Sequence, residues 1–223
     1  MKPTANEIEI AKKIVNDLIE NDFFRAIICE DNDNFYRWHE DYEDYLKEEG
    51  IAAYCGETKA CIVSDELPNW VIKTGFVYYE DGLGDTTDYC AIEEGNYRDA
   101  VEEGLGEFFA ATYKLCTLTP GRMVDYTLEG NVSFFIQEKA APDESKTSST
   151  CEDYVRKNSE DYNEYEEYYY EDSDRLESLF EGHKMLPELL EFVENWSIND
   201  LHEGNFGYTS DGTPKIIDFS GYT

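Results

Sequence analysis

Apolar positions recur at helical spacing at the start of the chain. Ile8, Ala11, Ile14, Val15, Leu18 and Ile19 fall on one face, which predicts an opening helix with one buried side. Thr4 followed by Glu7 has the pattern of a reciprocal N-terminal cap. Residues 30–49 mix acidic side chains with Tyr36, Trp38, Tyr42 and Tyr45 and are expected to continue helical. The pattern then shortens to strand-like runs at Ile51–Cys55, Ala60–Ser64 and Trp70–Lys73. The first two are joined by Gly56-Glu57-Thr58-Lys59, which predicts a hairpin. A helix is expected from Tyr89 to Glu103, stopping at Gly104, with Gly95 as a weak point inside it.

Met123–Thr127 and Val132–Gln137, separated by Glu129-Gly130-Asn131, read as a second hairpin, so the first half is expected to hold five strands and one covering helix. Residues 142–150 are polar and linker-like. From Cys151 to Asp174 the chain is densely acidic and carries Tyr154, Tyr162, Tyr165, Tyr168, Tyr169 and Tyr170 at mostly helical spacing, an aromatic stripe suited to packing. Leu186–Trp196 is an apolar helix opened by Pro187.

Charge changes this picture. With 18 Lys and Arg against 51 Asp and Glu, the net charge is −33 over 223 residues. Such a surface repels nucleic acid and anionic membrane, because binding to phosphates relies on Lys and Arg. It attracts divalent cations and basic proteins instead. The six cysteines are scattered without a C-x-x-C pair, so reduced thiols in a cytoplasmic protein are expected rather than zinc or a disulfide framework. The N-terminus leads into a charged amphipathic helix, unlike a signal peptide, and no apolar run approaches the length of a membrane span.

The candidate chemistry lies near the end. Asp200-Leu201-His202-Glu203-Gly204-Asn205 is followed by a short strand, a turn at Ser210-Asp211-Gly212, a second strand and Asp218-Phe219-Ser220. A loop, strand, turn, strand and loop in this order bring Asp200, Asn205 and Asp218 to one end of the element. Two carboxylates and an amide oxygen are hard ligands suited to Mg²⁺. His202 by itself reads as a hydrogen-bonded loop residue rather than a catalyst.

These motifs resemble those of the protein kinase-like superfamily, in particular the D-L-H-x-G-N loop of aminoglycoside phosphotransferase-like and related atypical kinases. Asp218-Phe219-Ser220 resembles the metal-binding D-F-G, with Ser in place of Gly. Val71-Ile72-Lys73 resembles V-A-I-K. The resemblance implies an α+β, two-lobed kinase-like fold, with a five-stranded antiparallel sheet in the N-lobe and a reduced, mainly helical C-lobe. The expected divisions are a helical segment over 1–50, an N-lobe over 51–140 and a C-lobe over 141–223. It further implies an ATP- and Mg²⁺-dependent phosphotransferase acting on a small molecule or one particular protein. Asp200 is then the catalytic residue that orients the acceptor hydroxyl, and Asn205 and Asp218 hold the metal. Lys73 binds phosphate and pairs with Glu93, with Glu94 or Glu103 as alternatives. Gly56 and Lys59 lie in the phosphate-binding turn. Glu138 and Ala140 form the hinge that meets the adenine edge.

The pattern also departs from the family. Only Gly56 stands where kinases carry a glycine-rich loop, and Ile198 and Asn199 replace the His and Arg that precede the catalytic Asp of protein kinases. The chain ends five residues after Asp218, which leaves no room for an activation segment, an A-P-E motif or a peptide-substrate platform. The expectation is a C-terminally truncated protein resembling the short kinase-like proteins of bacterial mobile elements and phages. A second expectation stands beside it: a catalytically weak or inactive kinase-fold interaction protein, strongly acidic, binding or mimicking nucleic acid toward a basic protein partner.

Overall fold

The computed structural model describes residues 1–20, 49–55, 59–75, 88–118, 132–158 and 170–221. The chain divides into two compact units, Met1–Glu94 with Ala111–Lys139 and Gly95–Ala110 with Ala140–Thr223. Among the described residues the architecture is mixed α+β, with a five-stranded antiparallel sheet in the first unit and three helices beside a small three-stranded sheet in the second.

In the first unit, helix α1 (Ala5–Glu20) starts at the expected cap. The Thr4 amide donates to Glu7 Oε2 at 2.7 Å, and the Glu7 amide donates to Thr4 Oγ1 at 3.2 Å. Glu7 Oε1 also accepts from the Trp70 indole at 2.9 Å, which ties the start of the helix to the sheet. These bonds, the Thr4 amide foremost, hold the Glu7 carboxyl below its ordinary pKa. Ala11, Ile14, Val15 and Leu18 of α1 pack on Ile62, Leu67, Trp70, Ile72, Leu115, Phe134 and Ile136 to form the core.

The sheet consists of β1 (Ile51–Cys55), β2 (Lys59–Ser64), β3 (Trp70–Gly75), β4 (Thr112–Leu118) and β5 (Val132–Glu138), in the order β1-β2-β3-β5-β4. Register decides which side chains meet. Ile62 lies opposite Ile72, which lies opposite Ile136, and these face α1. The neighbouring row, Cys61 opposite Lys73 opposite Phe135, therefore faces the other way, and Lys59 and Gln137 share that face. The two halves of the alternation thus separate an apolar core from a polar, lysine-bearing face.

Helix α2 (Tyr89–Glu102) begins where Asp88 Oδ1 accepts from the Ala91 amide at 3.0 Å. It ends before Gly104, whose φ of 80° only glycine adopts at little cost. Gly95 is helical, and a Cβ added there would meet nothing within 4 Å. Gly95→Ala is therefore expected to raise stability by about 0.5–1 kcal/mol through the lost flexibility of the unfolded chain. Urea unfolding monitored by circular dichroism tests this; a destabilised variant would contradict the helical geometry at that position.

The second unit contains β6 (Ala141–Pro142), α3 (Glu144–Asn158), α4 (Asp172–Leu179), α5 (Leu186–Asn195), β7 (Phe206–Tyr208) and β8 (Pro214–Ile216), with sheet order β6-β7-β8. Phe109 is buried and makes edge contacts with Phe192 and Phe219, at ring-centroid distances of 5.8 and 5.1 Å. Pro187 stands in the first turn of α5, as expected from its missing amide hydrogen.

Two sequence expectations change. The neighbour of β5 is Thr112–Leu118, whereas Met123–Thr127 lies outside the described residues. The alternation of β4 is hidden by a register shift between Lys114 and Cys116, so that Leu115 and Cys116 do not continue the period. The polar stretch 142–150 is largely helical rather than a linker. There Asp143 Oδ1 accepts from the Lys146 amide at 3.0 Å, and Thr147, Cys151 and Val155 give α3 a narrow buried stripe. Of the acidic segment from Cys151 to Asp174, residues 151–158 belong to α3 and 172–174 to α4, whereas residues 159–169, with Tyr162, Tyr165, Tyr168 and Tyr169, lie outside the described residues. The helical expectation for 30–49 falls almost wholly outside it as well.

Among the described residues Cys61, Cys90, Cys116 and Cys151 are free thiols, and burial raises the pKa of each. No helix among the described residues is long and apolar enough to cross a membrane.

Candidate functional site

The first unit holds a buried charge cluster built by β2, β3, β5 and α2. Lys73 Nζ lies 3.2 Å from Glu93 Oε2, and Lys59 Nζ lies 2.7 Å from Glu93 Oε1. The three side chains are almost out of solvent, with Lys59 8%, Lys73 7% and Glu93 0% exposed. Gln137 Nε2 donates to Glu93 Oε2 at 3.5 Å and to Thr112 Oγ1 at 2.9 Å, bracing the carboxylate from β5 and β4. The sequence named Lys73, Glu93 and Lys59 but not Gln137 or Thr112. The signal was a Gln directly after the apolar run Phe134-Phe135-Ile136, since a polar side chain in a buried strand needs a partner. Glu94 is half-buried and Glu103 exposed. Gly56 lies outside the described residues. The Glu138 amide donates to the Ala111 carbonyl at 2.8 Å, and Glu138 Oε2 accepts from the Ala111 amide at 3.3 Å, so β5 is closed at this end. Ala140, in the second unit, is buried, and its carbonyl oxygen would lie 2.6 Å from a Cβ on Gly207.

The second unit gathers Asp200, Asn205 and Asp218. Asp200 is held at φ 58°, a left-handed conformation that Asp tolerates better than most residues. Its carbonyl accepts from Asn205 Nδ2 at 2.6 Å and from the His202 amide at 2.9 Å. With the Asn205 amide nitrogen turned to Asp200, its oxygen is the end that suits a cation. Phe206 lies opposite Ile216 in the β7–β8 pair, and the Asn205 carbonyl accepts from the Ile217 amide at 2.8 Å and the Asp218 amide at 3.5 Å. The hairpin thus carries Asp218 back beside Asn205. Its turn is closed by Asp211 Oδ1, which accepts from Thr209 Oγ1 and the Thr213 amide; the carboxyl is pulled down to about 2, chiefly by Thr209.

Two contacts pin the loops from outside. Asn96 Nδ2, buried on α2, donates to the Phe219 carbonyl at 2.8 Å. A Cβ on Gly221 would lie 2.3 Å from the Ser197 carbonyl oxygen, so only glycine lets the chain after Asp218 run against the approach to Asp200. His202 behaves as the sequence suggests: its Nδ1 accepts from the Gly204 amide at 3.1 Å and caps the turn Glu203–Asn205. The side-chain oxygens of Asn205 and Asp218 are hard donors of the kind that could hold Mg²⁺. Among the described residues no group of three or more His, Cys, Asp or Glu side chains could hold a metal.

Arg175 of α4 is a further member that the sequence did not announce. It reaches Glu203 Oε1 at 3.0 Å and the Tyr170 carbonyl at 2.8 Å, and lies 3.7 Å from Asp172 Oδ1, which accepts from the Leu201 amide at 3.1 Å. The guanidinium therefore braces the Asp200–Asn205 loop from two sides. Arg175→Ala is expected to cost about 1–3 kcal/mol, because it strands polar groups that are partly shielded from water. Arg175→Lys is expected to restore only part, lacking the planar fork. Denaturant titration checks both, and a change below about 0.5 kcal/mol, the size of an ordinary surface substitution, would remove Arg175 from this role.

No protein-family model and no curated protein matches the sequence. Among solved structures, the chain is similar to the medium-resolution structure of the bifunctional kinase-methyltransferase WbdD, with a TM-score of 0.35 and 12% identity. The similarity covers 74% of this chain and only 30% of that one, so the chain spans less than a third of the length of the protein it matches.

Proposed function

We propose that the protein is a kinase-like phosphotransferase that binds ATP with Mg²⁺. The observation that carries the reading is the buried ion pair of strand Lys73 with helix Glu93. Kinase-like sites use this pairing to present an ammonium to the nucleotide phosphates. The approach of Asn205 to Asp218 and of Asn205 to Asp200 supports it independently. In this reading Lys73 neutralises phosphate charge and Asn205 and Asp218 hold Mg²⁺, which supplies further neutralisation when bound. Asp200 orients the acceptor hydroxyl and accepts its proton. Charge neutralisation matters here because a chain of net charge −33 otherwise repels a nucleotide.

Thermal unfolding with and without ATP and Mg²⁺ tests this. A ligand that binds only the native state raises the midpoint, by RT ln(1 + [L]/Kd) in free energy. The wild type is expected to shift, with the magnesium-dependent part of the shift lost in Asp218→Ala. No shift in wild type at millimolar nucleotide would overturn the reading. The net charge favours a second one, an acidic kinase-fold protein that engages a basic protein partner. On that reading Asp200→Ala leaves the biological effect intact, while reversing charges within 151–174 removes partner binding.

A further inference from the structure

Lys59 and Lys73 stand on adjacent strands and on the same face of the sheet. The register sets Cys61 opposite Lys73, and Lys59 lies two residues along β2 from Cys61, making the two lysines diagonal neighbours. One carboxylate, Glu93, reaches both ammonium groups, Lys59 through Oε1 and Lys73 through both oxygens. The shorter contact, 2.7 Å against 3.2 Å, belongs to Lys59. A second buried ammonium beside the first adds like-charge repulsion and a further desolvation cost.

We propose that Lys59 is a second phosphate-binding lysine. Glu93 holds Lys59 and Lys73 as a spaced cationic pair for the phosphate chain of a nucleoside di- or triphosphate. Lys59 thereby supplies through side-chain charge what a glycine-rich loop supplies through backbone amides.

The local sequence points the same way. A loop that wraps phosphate with its own N–H groups needs several glycines for close approach. The sequence just before β2, Gly56-Glu57-Thr58, contains one glycine and one acidic residue, and Lys59 follows at once. An ammonium on a flexible stem makes no such demand on the backbone, since it reaches the anion as a point charge with three donors. Lys59 begins β2, an interior strand, and its neighbour in register is Gly75 at the end of β3. Elsewhere acidic side chains dominate the chain, and two clustered lysines give an anion a local reason to bind where the net charge opposes it.

The proposal rests on the nucleotide reading above, and calorimetry separates the two. ATP with Mg²⁺, ADP and adenosine are titrated into wild type, Lys59→Met, Lys59→Arg and Lys73→Met, each first shown to unfold cooperatively without ligand. Losing one charge-assisted contact is expected to weaken ATP binding by about ten- to a hundredfold in Lys59→Met. Adenosine affinity should stay unchanged, and Lys59→Arg should recover much of the loss. The salt dependence of ATP binding should also be shallower in Lys59→Met. If Lys59→Met does not fold, Lys59→Gln keeps a donor for Glu93 while removing the charge, and the same expectations apply. Wild-type ATP affinity in a folded charge-removed variant, alongside a loss in Lys73→Met, would overturn the role of Lys59 and leave the nucleotide reading standing. Equal losses for ATP and adenosine would also overturn it, since the effect would then not be on phosphate. Absence of ATP binding by the wild type would overturn both.

Discussion

Glu93→Ala is expected to lose about 3–5 kcal/mol of stability, the scale on which removing one partner from a buried charge pair acts. The loss falls at the high end because the carboxylate serves Lys59, Lys73 and Gln137 together and is fully buried. Both lysines then stay inside without their shared carboxylate or must swing outward at the expense of packing. Glu93→Gln keeps the shape and one acceptor oxygen and should retain part of the loss. Glu94→Ala and Glu103→Ala are the internal controls. Those side chains are half-buried and exposed, and each change should stay within about 0.5 kcal/mol. Guanidinium titration of the four variants settles which glutamate matters; a Glu94 or Glu103 effect equal to that of Glu93 would refute the cluster as described.

Phe109→Ala is the second large effect, about 3–5 kcal/mol for an aromatic ring removed from a packed interior. Phe109 is fully buried and meets Phe192 of α5 on one side and Phe219 on the other. Its backbone also forms a parallel bridge with Ile216 of β8. The cavity would open beside Phe219, immediately after Asp218. Where the variant still folds, it should therefore weaken magnesium-dependent nucleotide binding more than binding of adenosine alone. Phe109→Leu, which fills much of the volume, should cost less on both measures. Unfolding curves together with ATP titration check the pair, and a stability loss below about 1 kcal/mol would mean that the ring is not packed as described.

Much of the framework was legible because it depends on local chemistry. The cap at Thr4 and Glu7 needs only two side chains and two amides a turn apart, and the helix stop at Gly104 needs only a residue that tolerates positive φ. The hairpin carrying Phe206–Tyr208 and Pro214–Ile216 was announced by Ser210-Asp211-Gly212, where Gly212 has φ 87° and Asp211 closes the turn. In contrast, β4 escaped notice because a bulge breaks its period, and a period is all that a single sequence displays. The first half of helix α3 escaped because the Ser- and Thr-rich composition before Cys151 is a poor helix former. What makes it helical is burial of Thr147, Cys151 and Val155, an influence from residues distant in the chain.

The site divides along the same line. The pairing of Lys73 with Glu93 was implied by the resemblance of Val71-Ile72-Lys73 to V-A-I-K, with Glu94 and Glu103 as alternatives, and Asp200, Asn205 and Asp218 were readable from their order around one hairpin. Sequence by itself thus determined the residue types and the local elements that carry them, because caps, turns and short alternations are set within a few residues. Only the tertiary structure decided that Lys59 shares Glu93, that Gln137 and Thr112 brace it, and that Arg175, Asn96 and Gly221 pin the loops around Asp200 and Asp218. Those pairings join positions up to 123 residues apart. They depend on cross-strand register and on which face of a helix is buried, and these are fixed by the packing of the whole unit rather than by any local run of residues.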